Sequence, residues 1–430
     1  MRTNDDNLPN AFAYIDKKGG CLMKNLLPLF LCVCLLAGTL SGCGGKRDLM
    51  KGVSPAAVSD TAIPADGAGV ASGLALRLLR QEMEDGENVL LSPLSILCAL
   101  SMTANGARGE TLAQMEQVLG LPVESLNAYL LTCRKALPDE KKCRVSLANS
   151  IWFKDDDSLT VEKDFLQTNA AWYDADLYQL PFDSAACKAI NSWVSKETTG
   201  MIPEILQEIS PDDAMYLINA LSFEAEWQTI YQEASTRDGV FTTEDGQPQD
   251  VQMMYSKEYR YLESGTATGF LKYYDGRNCA FAALLPKEGV SLAECVDSLT
   301  GEQLHDLLAN PETVEVNAAI PKFESSYETN LCNTLEALGM TDAFDGQLAD
   351  FSGIGSSTEG NLTISQVLHK TRIAVDEKGT KAGATTAVVV EPTEAPSDPK
   401  EVLLDRPFLY LLVDCQEQLP IFIGTVTTLE

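Results

Sequence analysis

Between a strand-like run ending near Asp376 and another around Val402, the chain carries Glu377–Pro399, a connection with no helical pattern of its own. A compact domain seldom holds so long a plain connection, and one that does uses it functionally or leaves it disordered. Its two halves differ. Gly379–Val390 contains small and β-branched residues and no proline, so every peptide N–H can join a sheet. Alternation puts Thr380, Ala382, Ala384 and Thr386 on one face, with Lys381, Gly383, Thr385 and Ala387 on the other. Such a face of small side chains can enter a crowded interior, while Lys381 would look to solvent. Pro392, Pro396 and Pro399 each lack a donor and hold the second half exposed and extended. The first half thus has the makings of a strand for which a sheet is still to be found.

The rest of the chain predicts an α+β single domain over residues 68–430. Leu74, Leu76, Leu78 and Leu79 begin a helical pattern, Ser92-Pro93 starts a second helix running through Ile96–Met102, and Thr111 with Gln114 matches a capping box for a third. Strand-like runs follow at Val145–Phe153, Tyr216–Phe223, Phe270–Tyr274 and Cys279–Leu285, the last two joined through Asp275-Gly276-Arg277. Val314–Ile320 precedes an expected helix at Thr329–Leu338, and Phe408–Val413 pairs with Ile421–Thr427 across a turn at Glu417.

A net charge of -30 and the lack of a Lys/Arg cluster beyond Lys141, Lys142 and Arg144 argue against a nucleic-acid partner. Residues 1–42 read as a signal peptide with Met23 as an alternative start, because Lys24 precedes an apolar stretch too short to span a bilayer and small residues follow it. Leu40-Ser41-Gly42-Cys43 resembles a bacterial lipoprotein box, which implies an extracellular domain lipid-anchored at Cys43 to the cell membrane. An ordinary signal peptide with an incidental cysteine is the plainer alternative. Residues 43–67, rich in Gly, Ala, Ser and Pro, read as a flexible tether. Of the 12 cysteines, Cys98 and Cys332 sit in apolar helical patterns as buried thiols, and Cys133 and Cys143 are free to pair but need not. No metal site is expected, since His305 and His369 stand far apart and the body has no Cys-x-x-Cys; no cofactor motif occurs either.

Val375-Asp376-Glu377-Lys378-Gly379-Thr380, followed by small residues, resembles the mobile hinge of the serpins, a family of protease inhibitors. Asn88–Ile96, Asn191–Val194 with Thr199-Gly200, Asn219–Trp227, Ile320–Phe323, Leu338–Phe344, Ala349–Gly353 and Arg406–Phe408 resemble serpin segments in the same order, so the likeness spans about Ala68 to Glu430. It implies helices packed on a large central mixed sheet, further antiparallel sheets and an exposed reactive loop at about 377–400. When that loop is cut it enters the central sheet as a new strand, with the protease still attached. Glu377, Gly379, Thr380, Ala382, Ala384 and Thr386 would be the hinge. Ser92, Ser95, Asn219 and His369 would form a polar shutter beneath the parting strands, and Trp227 would mark where insertion begins. From spacing alone, the serines cap a helix and Trp227 is ordinary core.

The family pattern places the cut about fourteen residues beyond Gly379, between Thr393 and Glu394. No Lys or Arg occurs between Lys381 and Lys400, which points to an elastase-like or subtilisin-like serine protease, or one cutting after Glu394, and away from trypsin-like enzymes. A cysteine protease is a further target class. The expected molecule is a monomeric suicide inhibitor that touches the membrane only through its lipid, and not an enzyme. Ser397-Asp-Pro-Lys400 matches a Ser-x-x-Lys pattern, but a mobile proline loop does not orient a nucleophile. A non-inhibitory binding protein of the same family is the other reading, which small inward-facing hinge residues oppose.

Overall fold

Cys143–Lys154 (β2), apolar mainly at Ile151–Phe153, and the largely apolar Met215–Glu226 (β4) pair antiparallel from Cys143↔Ala225 to Phe153↔Met215. Nearly every β4 side chain is buried, which marks a strand covered on both faces. The computed structural model that places them describes residues 46–58, 63–83, 86–155, 159–358, 360–380 and 398–429. Cys43, and the loop positions Ala382, Ala384, Thr386, Thr393 and Glu394, lie outside the described residues.

Around this pair a mixed central sheet runs in the order Arg47–Asp48 (β1), Asp176–Leu180 (β3), β2, β4, Gly379–Thr380 (β7), Gln366–Val375 (β6) and Phe323–Asn330 (β5), with Asp139–Glu140 folded against β2. Pairs β2–β3 and β4–β6 are parallel, and the other pairs are antiparallel. A second, all-antiparallel sheet orders Tyr261–Glu263, Ala267–Tyr273, Cys279–Pro286, Phe408–Asp414, Leu419–Val426 and Leu90–Leu91. A third holds Lys400–Leu403, Val316–Pro321, Pro248–Glu258 and Thr236–Thr242. Helix Pro93–Ala104 is buried at every residue, Ser95, Ser101 and Thr103 included, and packs in the main core with helices Gly67–Glu82 and Val123–Ala136. A second core fills the space between the hinge end of the central sheet and the second sheet, and a third lies under helix Ser184–Glu197.

Three sequence expectations give way. The third helix is Gly109–Leu119 with Arg108 as N-cap, so Thr111 and Gln114 form no capping box. They face a neighbouring segment instead: Thr111 Oγ1 accepts from Asp350 N and Gln114 Oε1 from Thr341 N. Phe323–Asn330 is a strand and the helix after it only Cys332–Ala337. Polar residues here alternate with buried Phe323 and Ser325, a period of two that low hydrophobicity masks. Lastly, residues 46–56, assigned to a flexible tether, lie against the domain. Arg47 and Asp48 pair with Gln179 and Tyr178, Leu49, Met50 and Val53 pack on the main core, and Lys46 Nζ sits 3.4 Å from the Tyr178 ring centroid. Few but well-placed apolar and cationic side chains suffice to dock a segment whose average composition reads as linker.

Candidate functional site

Asn219–Glu224 of β4 and His369–Ala374 of β6 face one another without sharing a ladder pair among the described residues. Below them the two strands pair in parallel from Gln366↔Tyr216 to Leu368↔Ile218. Above them β7 stands between the strands, with Thr380 opposite both Val375 and Ala225, and Gly379 opposite Glu226. The sheet is thus closed at one end and wedged at the other.

The wedge is held by the sequence that resembles a hinge. Asp376 Oδ1 accepts from the backbone N–H of Lys378 at 2.7 Å and of Gly379 at 3.2 Å, which folds the chain back into the sheet. Trp227 N–H donates to the Lys378 carbonyl, Tyr231 N–H to the Glu377 carbonyl and Trp227 Nε1 to the Asp376 carbonyl, at 2.8, 2.9 and 2.8 Å. Glu377 pairs with Lys322 at 3.0 Å. Gly379 is required sterically, because a Cβ there would stand 2.0 Å from the Ala225 carbonyl oxygen. Thr380 is fully buried, and its hydroxyl lies 2.6 Å from that of Tyr274.

Beneath the wedge the Trp227 ring stacks on Tyr274 with centroids 4.4 Å apart. Lys272 is buried below both Trp227 and Tyr231 and ion-paired to Glu258 at 2.8 Å. Burial works to lower the Lys272 ammonium, but Glu258 and the Tyr231 hydroxyl together hold it above its ordinary value.

The polar group at the closed end is assembled from three elements. His369 follows the last β4–β6 ladder pair on β6, and Asn219 follows it on β4. His369 Nε2 accepts from Ser92 N–H at 3.1 Å, which fixes that nitrogen as the unprotonated one, while Ser92 Oγ donates to the Ile421 carbonyl at 2.9 Å. Ser92 therefore does not cap its helix through its side chain. Ser95 is buried within the helix, its hydroxyl without a hydrogen-bond partner among the described residues. Asn219 Nδ2 donates to Asn149 Oδ1. Burial alone lowers the His369 imidazole to about 4.

The described members of the expected site, Ser92, Ser95, Asn219, Trp227, His369, Glu377, Gly379 and Thr380, thus all lie along the parted strands or against them. Asn149, Lys322 and Tyr274 complete the arrangement and were given no site role from the sequence, since each acts through a partner far away in sequence. The Cys133 and Cys143 thiols are both free and belong to different cores.

A protein-family model, Serpin (serine protease inhibitor), matches residues 70–429. The chain belongs to the serpin family. Among solved structures, the thermophilic serpin tengpin in its native state is 46% identical with a TM-score of 0.84, covering 89% of this chain and 100% of that one. Tengpin in its latent state gives 43% and 0.76, covering 86% and 100%. The fold is that of a serpin, and nearer to the native tengpin form. The leukocyte elastase inhibitor of Bos taurus is 30% identical over 375 residues, which is 82% of this chain and 96% of that protein. Serpins are in general protease inhibitors rather than catalysts, and a target protease is the partner that membership supports.

Proposed function

We propose that this serpin is a suicide inhibitor of an elastase-like or subtilisin-like serine protease, cut between Thr393 and Glu394 and trapping the acyl-enzyme by loop insertion. The observation that carries the reading is the wedge at Gly379–Thr380. Both ladders run antiparallel to β7, so each residue further along the loop meets one residue earlier on β4 and on β6. Extended in that register, Ala382 comes opposite Phe223 and Ile373, Ala384 opposite Leu221 and Thr371, and Thr386 opposite Asn219 and His369. Val390 meets Met215, where β4 begins, and Val389 meets Gln366, where β6 begins. The flanking strands therefore begin where the proline-free run ends, and residues 387–390 enter only as the pairs Gln366↔Tyr216 to Leu368↔Ile218 part.

Even-numbered residues would share the face of Thr380, toward the core that holds Phe223, Trp227 and Ile373, where small side chains fit. Some ten newly inserted residues at about 1 kcal/mol per net hydrogen bond give on the order of 10 kcal/mol. A protease domain is itself stable by about 5–15 kcal/mol, so insertion is strong enough to distort an attached active site. The lack of Lys and Arg between Lys381 and Lys400 supports the choice of target. An extracellular, monomeric protein lipidated at Cys43 of a bacterial lipoprotein box belongs to the same reading.

Incubation with elastase, subtilisin and trypsin followed by SDS denaturation tests it. An SDS-stable adduct with elastase or subtilisin, and a released fragment beginning at Glu394, are expected. Cleavage by each enzyme with no adduct would favour a binding protein over an inhibitor.

A further inference from the structure

Resting on the trapping reading, we infer that Tyr274 is a positioning residue for loop insertion: its buried hydroxyl latches Thr380 in the sheet, so that the new strand is nucleated before any protease arrives. The hydroxyls of Tyr274 and Thr380 are 2.6 Å apart and both residues are fully buried. The Tyr274 ring is fixed from two sides, stacked on Trp227 at 4.4 Å and edge-on to Phe223 at 5.1 Å, so the hydroxyl has little freedom to follow a departing partner. Trp227 in turn holds the carbonyls of Asp376 and Lys378. One aromatic stack therefore grips the hinge twice, by backbone through Trp227 and by side chain through Tyr274.

The consequence lies in the competition after acylation between insertion and hydrolysis. A strand pays its largest entropic cost on forming its first pairs, and later residues add to an existing ladder. With Thr380 seated, insertion starts from a formed pair. With Thr380 released, seating it comes first and hydrolysis has longer to win. The latch thus acts on the partition between trapped and released protease, and not on how fast the loop is cut.

Tyr274→Phe keeps the ring stack and Thr380→Val keeps the side-chain shape, and each removes the same hydroxyl pair. Two readouts are taken on each variant and on the double variant. Hydrogen–deuterium exchange over the hinge peptide of the intact inhibitor needs no protease, and should speed up about fivefold in either variant, the factor one net hydrogen bond contributes. Moles of inhibitor consumed per mole of protease trapped should rise by a similar factor at an unchanged association rate. The double variant should be no worse than either single one, since only one interaction is lost. Additive effects, unchanged hinge exchange, or slower association with an unchanged partition would each overturn the latch. A wild-type protein that traps no protease would instead sink the trapping reading, while the exchange measurement still decides the latch.

Discussion

Replacing His369 by glutamine should remove most of an acid sensitivity that this one residue builds into the sheet opening. His369 is buried and accepts a hydrogen bond from Ser92 N–H, a role open only to the neutral imidazole. Burial lowers its pKa from an unfolded value of 6.5 to about 4. The folded state therefore resists protonation while the unfolded chain accepts a proton, so stability is fully present above pH 6.5 and is lost as pH falls toward 4. At pH 5 the unfolded imidazole is almost wholly protonated and the folded one about one-tenth, which amounts to about 2 kcal/mol lost relative to pH 7.5. Glutamine retains an acceptor for Ser92 and does not titrate. Guanidinium unfolding at pH 7.5 and 5 should show the wild type losing about 2 kcal/mol more than His369→Gln, with carboxylates and other groups cancelling in the comparison. Equal losses would mean that His369 is not buried neutral, and would refute the closed-end geometry described above.

Gly379→Ala forces a Cβ to within 2.0 Å of the Ala225 carbonyl, and should unseat the hinge at a cost of roughly 1–3 kcal/mol, visible as faster hinge exchange in the intact protein. Thr386→Arg places a charge opposite Asn219 and His369 in the extended register. The loop should be cut at the normal rate while the SDS-stable adduct falls more than about tenfold, because an unpaired buried charge costs several kcal/mol; an undiminished adduct would show that residue 386 never enters the sheet. Thr393→Arg should turn trypsin from a bystander into a trapped target, with the released fragment beginning at Glu394.

The sequence showed β2, β4 and the end of β6 in the central sheet, because apolar and β-branched residues mark them, and it showed the hinge because Gly379–Thr380 sits in a segment with few other uses; β3 was not seen. It hid β5, whose outward Glu324, Ser326 and Glu328 lower its hydrophobicity to that of a loop. It also hid the docking of residues 46–56, which depends on a few contacts with the β3 edge and the main core. The closed-end group was legible only by family likeness. Ser92 looks like a helix cap, and only the fold brings His369 to its backbone and Asn149 to Asn219. Tyr274 ends an apolar strand run, and nothing local marks its hydroxyl as the partner of Thr380.

Comparing the thermal unfolding of the intact inhibitor with that of the same protein nicked in its loop bears most directly on the central claim. If residues 381–390 complete the sheet, the nicked form should melt well above the intact one and outlast it in denaturant, with the gain abolished by Thr386→Arg. A nicked form that melts at or below the temperature of the intact protein would contradict the account.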